Sequence, residues 1–230
     1  MNIAIITARG GSKRIPRKNI RPFCGKPMLT WPLEAAKFSG CFDHILISTE
    51  DEEIASVGRA HGALVVSRPL DLADDYSPAH KSARHALEWA INNIGPVSAF
   101  CHLYPTAPLL TAETIKKSME SIATGRCKAA WAMLRIPFPV YQFMIQGENG
   151  GLERLFSSEK VNMRSQDMPP AFIDVGQSYA FETAYFLKNE MLVGKDLLPI
   201  EVPLETALDI DTEDDWQRAE KIVKFLQAEK

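Results

Sequence analysis

Short apolar runs alternate with amphipathic segments along the first 135 residues of the chain. The apolar runs predict buried strands at Ile3–Ala8, His44–Ser48, Ala63–Val66, Ala99–Tyr104 and Ala129–Leu134. The amphipathic segments predict helices near Trp31–Phe38, Glu52–His61, His80–Ile94 and Ala112–Thr124, the last with Thr111 as its N-cap. This alternation predicts an α/β fold around a mostly parallel sheet, in which ligands bind at the carboxyl ends of the strands.

The alternation ends after Arg135, where Ile136-Pro137-Phe138-Pro139 excludes both a regular helix and a central strand. Up to about Pro170, glycine-rich turns are mixed with apolar residues, which predicts an excursion from the main domain. Its apolar residues need a partner surface, and either a second subunit or the chain's own domain could supply it. The chain then returns through two predicted strands and a final amphipathic helix at Ser178–Phe181, Ile200–Val202 and Glu213–Gln227.

The composition limits the class of protein. A chain of 230 residues suffices for one large domain with a small insertion, and 46% hydrophobic with 24% charged residues is typical of globular enzymes. A net charge of −3 argues against general nucleic-acid binding. No apolar run approaches the length of a membrane span, and no signal peptide is recognisable. The four widely spaced cysteines are consistent with free thiols in a reducing cytoplasm, where we expect the protein to be located.

A basic loop follows the first predicted strand and gives the clearest chemical signal. Its five cations are Arg9, Lys13, Arg14, Arg17 and Lys18. Glycines let the backbone approach a ligand closely, so the amides of Gly10, Gly11 and Ser12 could point at phosphate oxygens while the cations neutralise them. We therefore expect a triphosphate site here, although a solvated basic turn is an equally simple interpretation. The Walker and dinucleotide-binding glycine patterns are both absent.

Two carboxylates precede the last predicted helix. In an extended segment, Asp209 and Asp211 would point to the same side and suit a hard divalent cation that also holds phosphates. Helix capping by Asp211 or Thr212 explains the same residues, and the two roles are compatible.

Three further segments are rich in polar groups. An acidic cluster of Asp71, Asp74 and Asp75 follows Arg68 and could also be a solvated loop. The segments 164–167 and 174–177 place amides and carboxylates near apolar residues, which favours a pocket for a polyhydroxylated or amide-bearing ligand.

Taken in order, these segments resemble the acylneuraminate cytidylyltransferase family, also called CMP-sialic acid synthetases. The pattern A-R-x-x-S-K-x-x-P-x-K-N occupies positions 8–19, and further matches cover 25–29, 68–75, 103–109 and 209–212. The branch that activates pseudaminic acid is most similar, above all in Arg164–Asp167 and Asp174–Tyr179. Sialic-acid enzymes usually have N-G-A-I-Y in the second of these segments and often a glutamine where this chain has Tyr104.

The resemblance implies a Rossmann-like α/β fold flanked by helices, with one nucleotidyltransferase domain over 1–230 and 136–170 as an inserted dimerisation arm. It implies a Mg²⁺-dependent homodimer that transfers CMP from CTP to the anomeric hydroxyl of a nonulosonic acid and releases pyrophosphate. Pseudaminic acid is the favoured acceptor, and a CMP-N-acetylneuraminate or CMP-legionaminate synthetase is the alternative. A non-catalytic nucleotide-sugar binding protein on the same fold is a more remote one.

The resemblance also implies a role for each candidate residue. The phosphates would be neutralised by Arg9, Lys13 and Lys18, and the rest of CTP would be bound by Gly10, Gly11, Ser12, Asn19, Arg68 and Asp75. The sugar would be bound by Tyr104, Arg164, Gln166, Asp174 and Gln177, and Mg²⁺ by Asp209 and Asp211.

Overall fold

The computed structural model describes residues 1–74, 77–157, 161–191 and 193–228. Its strands are β1 Asn2–Thr7, β2 Pro22–Phe23, β3 Lys26–Pro27, β4 His44–Thr49, β5 Leu64–Ser67, β6 Ala99–Leu103, β7 Ala129–Arg135, β8 Met144–Gln146, β9 Leu152–Arg154, β10 Phe172–Glu182 and β11 Leu197–Glu201. Its helices are α1 Thr30–Ser39, α2 Glu52–Ala60, α3 Ala79–Asn93, α4 Ala112–Ala123, α5 Thr183–Asn189 and α6 Glu213–Ala228. None of these helices is both long enough and apolar enough to span a bilayer.

Seven of the described strands form the central sheet in the order β11-β7-β10-β6-β1-β4-β5. Strand β10 runs antiparallel to both of its neighbours, whereas the other pairings are parallel. The prediction of a mostly parallel α/β sheet is therefore confirmed. The carboxyl ends of β1, β4, β5 and β6 meet at one edge, which is where the basic loop leaves β1.

The core lies on both faces of the sheet. Side chains alternate along β1, so Ala4 and Ile6 pack in one apolar cluster while Ile3 and Ile5 pack in another. Helices α1 and α4 cover the first face and α3 covers the second. Burial on both faces explains why β1 is a continuous apolar run in the sequence.

The helix ends agree with the sequence in two places. Thr111 is the N-cap of α4, as predicted, and its side chain accepts a hydrogen bond from the amide of Thr114 at 3.1 Å. At α6, Thr212 forms a capping box with Asp215, because each side chain accepts a hydrogen bond from the other residue's backbone amide. Of the two predicted caps, Thr212 fulfils that role and Asp211 remains available for other contacts.

The first five predicted strands and first four predicted helices agree with the structure to within one residue at each end. Two later strand predictions need correction, and one helix was missed. The strand predicted at Ile200–Val202 is β11, which begins three residues earlier and ends at Glu201. The strand predicted at Ser178–Phe181 is part of the much longer β10, whose register on β7 shifts between Asp174 and Tyr179 around Gly176. Helix α5 was not predicted at all, and it follows β10 directly.

The predicted excursion between Ile136 and Pro170 contains a hairpin of β8 and β9, which forms a separate small sheet. All six hairpin residues are exposed. The exposed large apolar side chains of this segment are Phe138, Phe143, Met144, Ile145, Leu152, Leu155 and Met163. The segment therefore presents apolar surface that the described part of its own domain does not cover.

Candidate functional site

A cleft of about 280 Å³ lies at the carboxyl ends of the parallel strands. The basic loop contributes Arg9, Ser12, Lys13, Arg14, Ile15, Lys18 and Asn19. The remaining walls come from the segment after β5, the start of α3, the end of β6 and the segment before α6, through residues that include Arg68, Asp74, Ser82, Tyr104, Asp209 and Asp211. Segments that are far apart in the sequence thus converge on one strongly polar cleft.

Nine predicted site residues line this cleft, and six other described ones do not. Those in the lining are Arg9, Ser12, Lys13, Lys18, Asn19, Arg68, Tyr104, Asp209 and Asp211. Those outside it are Gly10, Gly11, Arg164, Gln166, Asp174 and Gln177. Asp75 lies outside the described residues. The structure therefore brings together the predicted phosphate and metal residues, but not most of the predicted sugar residues.

Lys18 connects the basic loop to the acidic segment. Its ammonium donates a hydrogen bond to the carbonyl of Ile210 at 2.5 Å and lies 3.6 Å from a carboxylate oxygen of Asp211. Arg14 approaches the same oxygen of Asp211 to 2.8 Å. Burial lowers the pKa of Lys18, and the negative charges of Asp211 and Asp209 oppose that shift.

The acidic segment has the oxygen donors that a hard cation prefers. Burial raises the pKa of Asp209, and the nearby negative charge of Asp211 raises it further. A divalent cation would relieve this repulsion, so these two carboxylates could hold Mg²⁺. Among the described residues, no group of three or more His, Cys, Asp and Glu side chains is arranged around a common point. The remaining ligands would then be water or substrate oxygens, as is usual for Mg²⁺ sites that act on phosphates.

The loop amides are engaged inside the protein. The amide of Gly10 donates to Glu50 Oε1 at 2.7 Å, and the amide of Ser12 donates to the carbonyl of Gly10 at 3.1 Å. Asn19 is buried, and its side-chain amide donates to the carbonyl of Arg9 at 2.8 Å. These bonds fix the conformation of the loop. Phosphate binding by the Gly10 and Ser12 amides would require both to exchange partners.

Two carboxylates at the end of β4 hold the loop, and the sequence analysis missed both. Glu50 binds the amide of Gly10 and also the guanidinium of Arg68, with its Oε2 2.6 Å from Nη2. Asp51 accepts two hydrogen bonds from Arg17, which lowers the pKa of Asp51, and it also caps α2. Their position directly after a buried strand, at the edge where the basic loop begins, was the signal that could have identified them.

Polar contacts support the wall near Tyr104. The hydroxyl of Tyr179 lies 2.9 Å from both carboxylate oxygens of Asp174, and the rings of Tyr104 and Tyr179 are 5.2 Å apart. The side-chain amide of Gln177 is buried and donates to the carbonyl of Thr206 at 2.6 Å. The backbone amide of Tyr104 donates to the carbonyl of Gln177, so Gln177 supports this wall, whereas the exposed Asp174 reaches it through Tyr179. Arg164 and Gln166 lie in the exposed excursion.

A buried histidine stands behind the loop as well. His102 on β6 lies 2.9 Å from the hydroxyl of Thr7, which itself lines the cleft. Burial lowers the pKa of His102 to about 3, so its imidazole is neutral at physiological pH. This pairing joins β1 and β6 at the floor of the cleft.

Comparison with known proteins gives a consistent family. Residues 3–144 match the sequence model of a family described as cytidylyltransferase. Two proteins of Campylobacter jejuni named pseudaminic acid cytidylyltransferase are 34% and 33% identical, and each alignment covers 97% of this chain and 96% of the relative. N-acylneuraminate cytidylyltransferase A of Danio rerio is 29% identical over 96% of this chain, which spans 51% of that protein.

A solved structure of CMP:2-keto-3-deoxy-manno-octonic acid synthetase in complex with CTP has a similar fold. The superposition has a TM-score of 0.70 and 14% sequence identity, and it covers 97% of this chain and 98% of the other. At that identity the likeness supports the fold alone.

Proposed function

Because the chain belongs to the cytidylyltransferase family, we propose that it transfers CMP from CTP to the anomeric hydroxyl of a nonulosonic acid and releases pyrophosphate. The acceptor that we propose is pseudaminic acid or a close di-N-acylated relative. One observation carries this choice: the similarity to the pseudaminic acid cytidylyltransferases of C. jejuni extends over nearly the whole of both chains.

In this reaction the anomeric oxygen attacks the α-phosphorus of CTP, a new P–O bond forms, and the bond to the bridging oxygen of pyrophosphate breaks. The hydroxyl proton is lost to solvent or to an oxygen base in the cleft. Attack on a polyanion depends on alignment and on neutralisation of negative charge more than on a covalent relay. Arg9, Lys13 and Lys18 supply that positive charge in our proposal, and their place in the lining of one cleft supports it.

The nucleoside half of CTP is assigned to Asn19 and to the segment that begins at Arg68. Both residues line the cleft, and both are held by hydrogen bonds to neighbouring groups. A site that hydrogen-bonds the amino group of cytosine leaves its own polar groups unpaired when uracil is offered instead. We therefore expect a strong preference for CTP over UTP.

Asp209 and Asp211 are the proposed Mg²⁺ ligands. Mg²⁺ held by these two carboxylates would supply positive charge against the negative charge that develops on the leaving pyrophosphate. Asp211 forms ion pairs with Arg14 and Lys18. These two side chains would therefore have to share Asp211 with Mg²⁺ or release it.

We further propose that the chain forms a homodimer through 136–170, which would act as an arm on the single domain over 1–230. The exposed apolar side chains of the arm support this assignment. Arg164 and Gln166 would then contact sugar only if the arm reaches a partner's cleft. We also propose that the protein is located in the cytoplasm, where CTP is available.

The decisive experiment is a kinetic panel of acceptors. Pyrophosphate release should be followed with CTP and Mg²⁺ and with pseudaminic, legionaminic or N-acetylneuraminic acid under identical conditions. We expect the highest kcat/KM with pseudaminic acid. An Arg9→Ala variant is the control, and its activity should be much lower because turnover occurs in the cleft. A preference for N-acetylneuraminic acid would overturn the choice of acceptor alone. If CTP released no pyrophosphate with any of the three acids, CMP transfer itself would be rejected in favour of a non-catalytic binding protein.

A further inference from the structure

Glu50 lies directly behind the cleft and binds two parts of its wall at once. One carboxylate oxygen, Oε1, accepts a hydrogen bond from the amide of Gly10 at 2.7 Å. The other oxygen, Oε2, accepts from Nη2 and Nε of Arg68 at 2.6 and 3.1 Å. The Glu50 side chain is 15% exposed and that of Arg68 is 4% exposed, so water screens this ion pair only weakly.

The contact with Arg68 extends into the opposite wall of the cleft. Arg68 Nη1 donates to the hydroxyl of Ser82, and this hydroxyl lies 3.1 Å from the carbonyl of Leu72. Arg68, Ser82 and Leu72 all line the cleft. The orientation of the Arg68 guanidinium is therefore set from two sides, by Glu50 and by the start of α3.

The contact with Gly10 places the loop tightly against the side chain of Asp51. A Cβ atom added at Gly10 would clash with the carboxylate of Asp51, the residue next to Glu50. Glycine therefore fits here without displacing the Asp51 side chain, which itself binds Arg17 and caps α2. Gly10 lies between Arg9 and Ser12, both of which line the cleft. The hydrogen bond from its amide to Glu50 therefore fixes the backbone from which these two side chains extend.

We propose that Glu50 is a positioning residue that couples the phosphate-binding loop to the nucleoside-binding wall of the cleft. A single carboxylate holds the Gly10 amide on one side and the Arg68 guanidinium on the other. Loss of that carboxylate would release both halves of the nucleotide site together. The inference rests on CTP as the nucleotide of the proposed function and is independent of which sugar accepts CMP.

Direct binding measurements test this coupling without a sugar. Isothermal titration would give the Kd of CTP, CMP and inorganic tripolyphosphate for the wild type and three variants. Glu50→Gln keeps the shape but removes the charge, and Glu50→Asp keeps the charge but shortens the reach. Glu52→Gln is the matched control, because Glu52 lies in the first turn of α2 with its side chain 83% exposed. Thermal unfolding of each protein shows that it is folded at the temperature of titration.

We expect both Glu50 variants to raise the Kd of CTP at least about tenfold, the order expected when a charge-assisted hydrogen bond is lost. CMP and tripolyphosphate should both bind more weakly, and the control should bind as the wild type does. A Glu50 variant that is less stable but binds CTP normally would reduce Glu50 to a structural residue. Weakening of only CMP or only tripolyphosphate would overturn the coupling. If the wild type does not bind CTP, the proposed function fails first, and this inference fails with it.

Discussion

Lys18 donates a hydrogen bond to the carbonyl of Ile210 at 2.5 Å, although the two residues are 192 positions apart in the chain. The contact joins the loop after the first strand to the segment before the last helix. The same ammonium faces Asp211, one of the two proposed metal ligands. Burial lowers the pKa of Lys18 while Asp211 and Asp209 oppose the shift, so these two carboxylates help to keep the ammonium charged.

We predict that Lys18→Met lowers kcat/KM for CTP by at least ~10²-fold, because the substitution keeps much of the apolar stem but removes a charge that we propose neutralises the phosphates. Steady-state kinetics against CTP would measure the loss. Lys116→Met, at an exposed position on α4, is the control and should behave as the wild type does. Unchanged turnover in the Lys18 variant would leave that residue only the role of holding the loop against Ile210.

Asp211→Asn separates metal binding from helix capping. Thr212 and Asp215 form the cap of α6, so the variant should keep its melting temperature. Activity should fall by at least ~10²-fold if Asp211 binds a catalytic cation. Asp214→Asn removes the same charge from an exposed position in the first turn and should remain active. A fully active Asp211 variant, or a wild type that keeps its activity in EDTA, would contradict the metal assignment.

The central sheet was predictable because buried parallel strands have a simple sequence pattern. Strand β1 is an almost continuous apolar run, and β4 and β6 each contain an apolar run, because helices cover the faces of these strands. Strand β10 was predicted only in part because Asp174 and Gly176 interrupt its apolar character where the register shifts. A bulge of this kind depends on the neighbouring strand and leaves little trace in the local pattern.

From local pattern alone, the candidate site was predictable only where its residues are close in sequence, whereas Arg68 and Tyr104 were identified through the family resemblance. The basic loop and the pair Asp209 and Asp211 are local patterns, and both line the cleft. The contact between Glu50 and Arg68 depends on how two strand ends meet, and no spacing rule indicates it. Gln177 shows a different difficulty. Its polar side chain among apolar neighbours suggested a ligand contact, but within the protein this side chain donates to the carbonyl of Thr206.

Asp51 should stabilise the fold in a pH-dependent way. Its hydrogen bonds with Arg17 hold its pKa below the unfolded value of about 3.9. The stabilisation is therefore complete above that value and is lost as the pH falls through the lower pKa of the folded state. Asp51→Asn keeps an oxygen that can cap α2 but removes the charge, and it should lower the free energy of unfolding by about 1 kcal/mol at pH 7.

Urea unfolding of both proteins between pH 7 and pH 3 measures this difference, which should shrink below about pH 4. Glu53→Gln removes the exposed second partner of Arg17 and should have a smaller effect. A difference between wild type and Asp51→Asn that is constant across the pH range would show that the ion pair contributes nothing.

The arm provides the last prediction, which concerns assembly. Phe138 and Leu152 are 65% and 72% exposed on segments that the described part of the domain does not cover. If they pack against a second subunit, two carboxylates in their place would be buried without partners, at a cost of several kcal/mol. The double variant Phe138→Glu with Leu152→Glu should therefore be monomeric, whereas the wild type should have the mass of a dimer in light scattering at micromolar concentration. Phe38→Glu is the matched control, because Phe38 is 75% exposed on α1, outside the arm, and its variant should stay dimeric. A monomeric wild type, or a dimeric double variant, would show that the apolar surface of the arm is not the subunit interface.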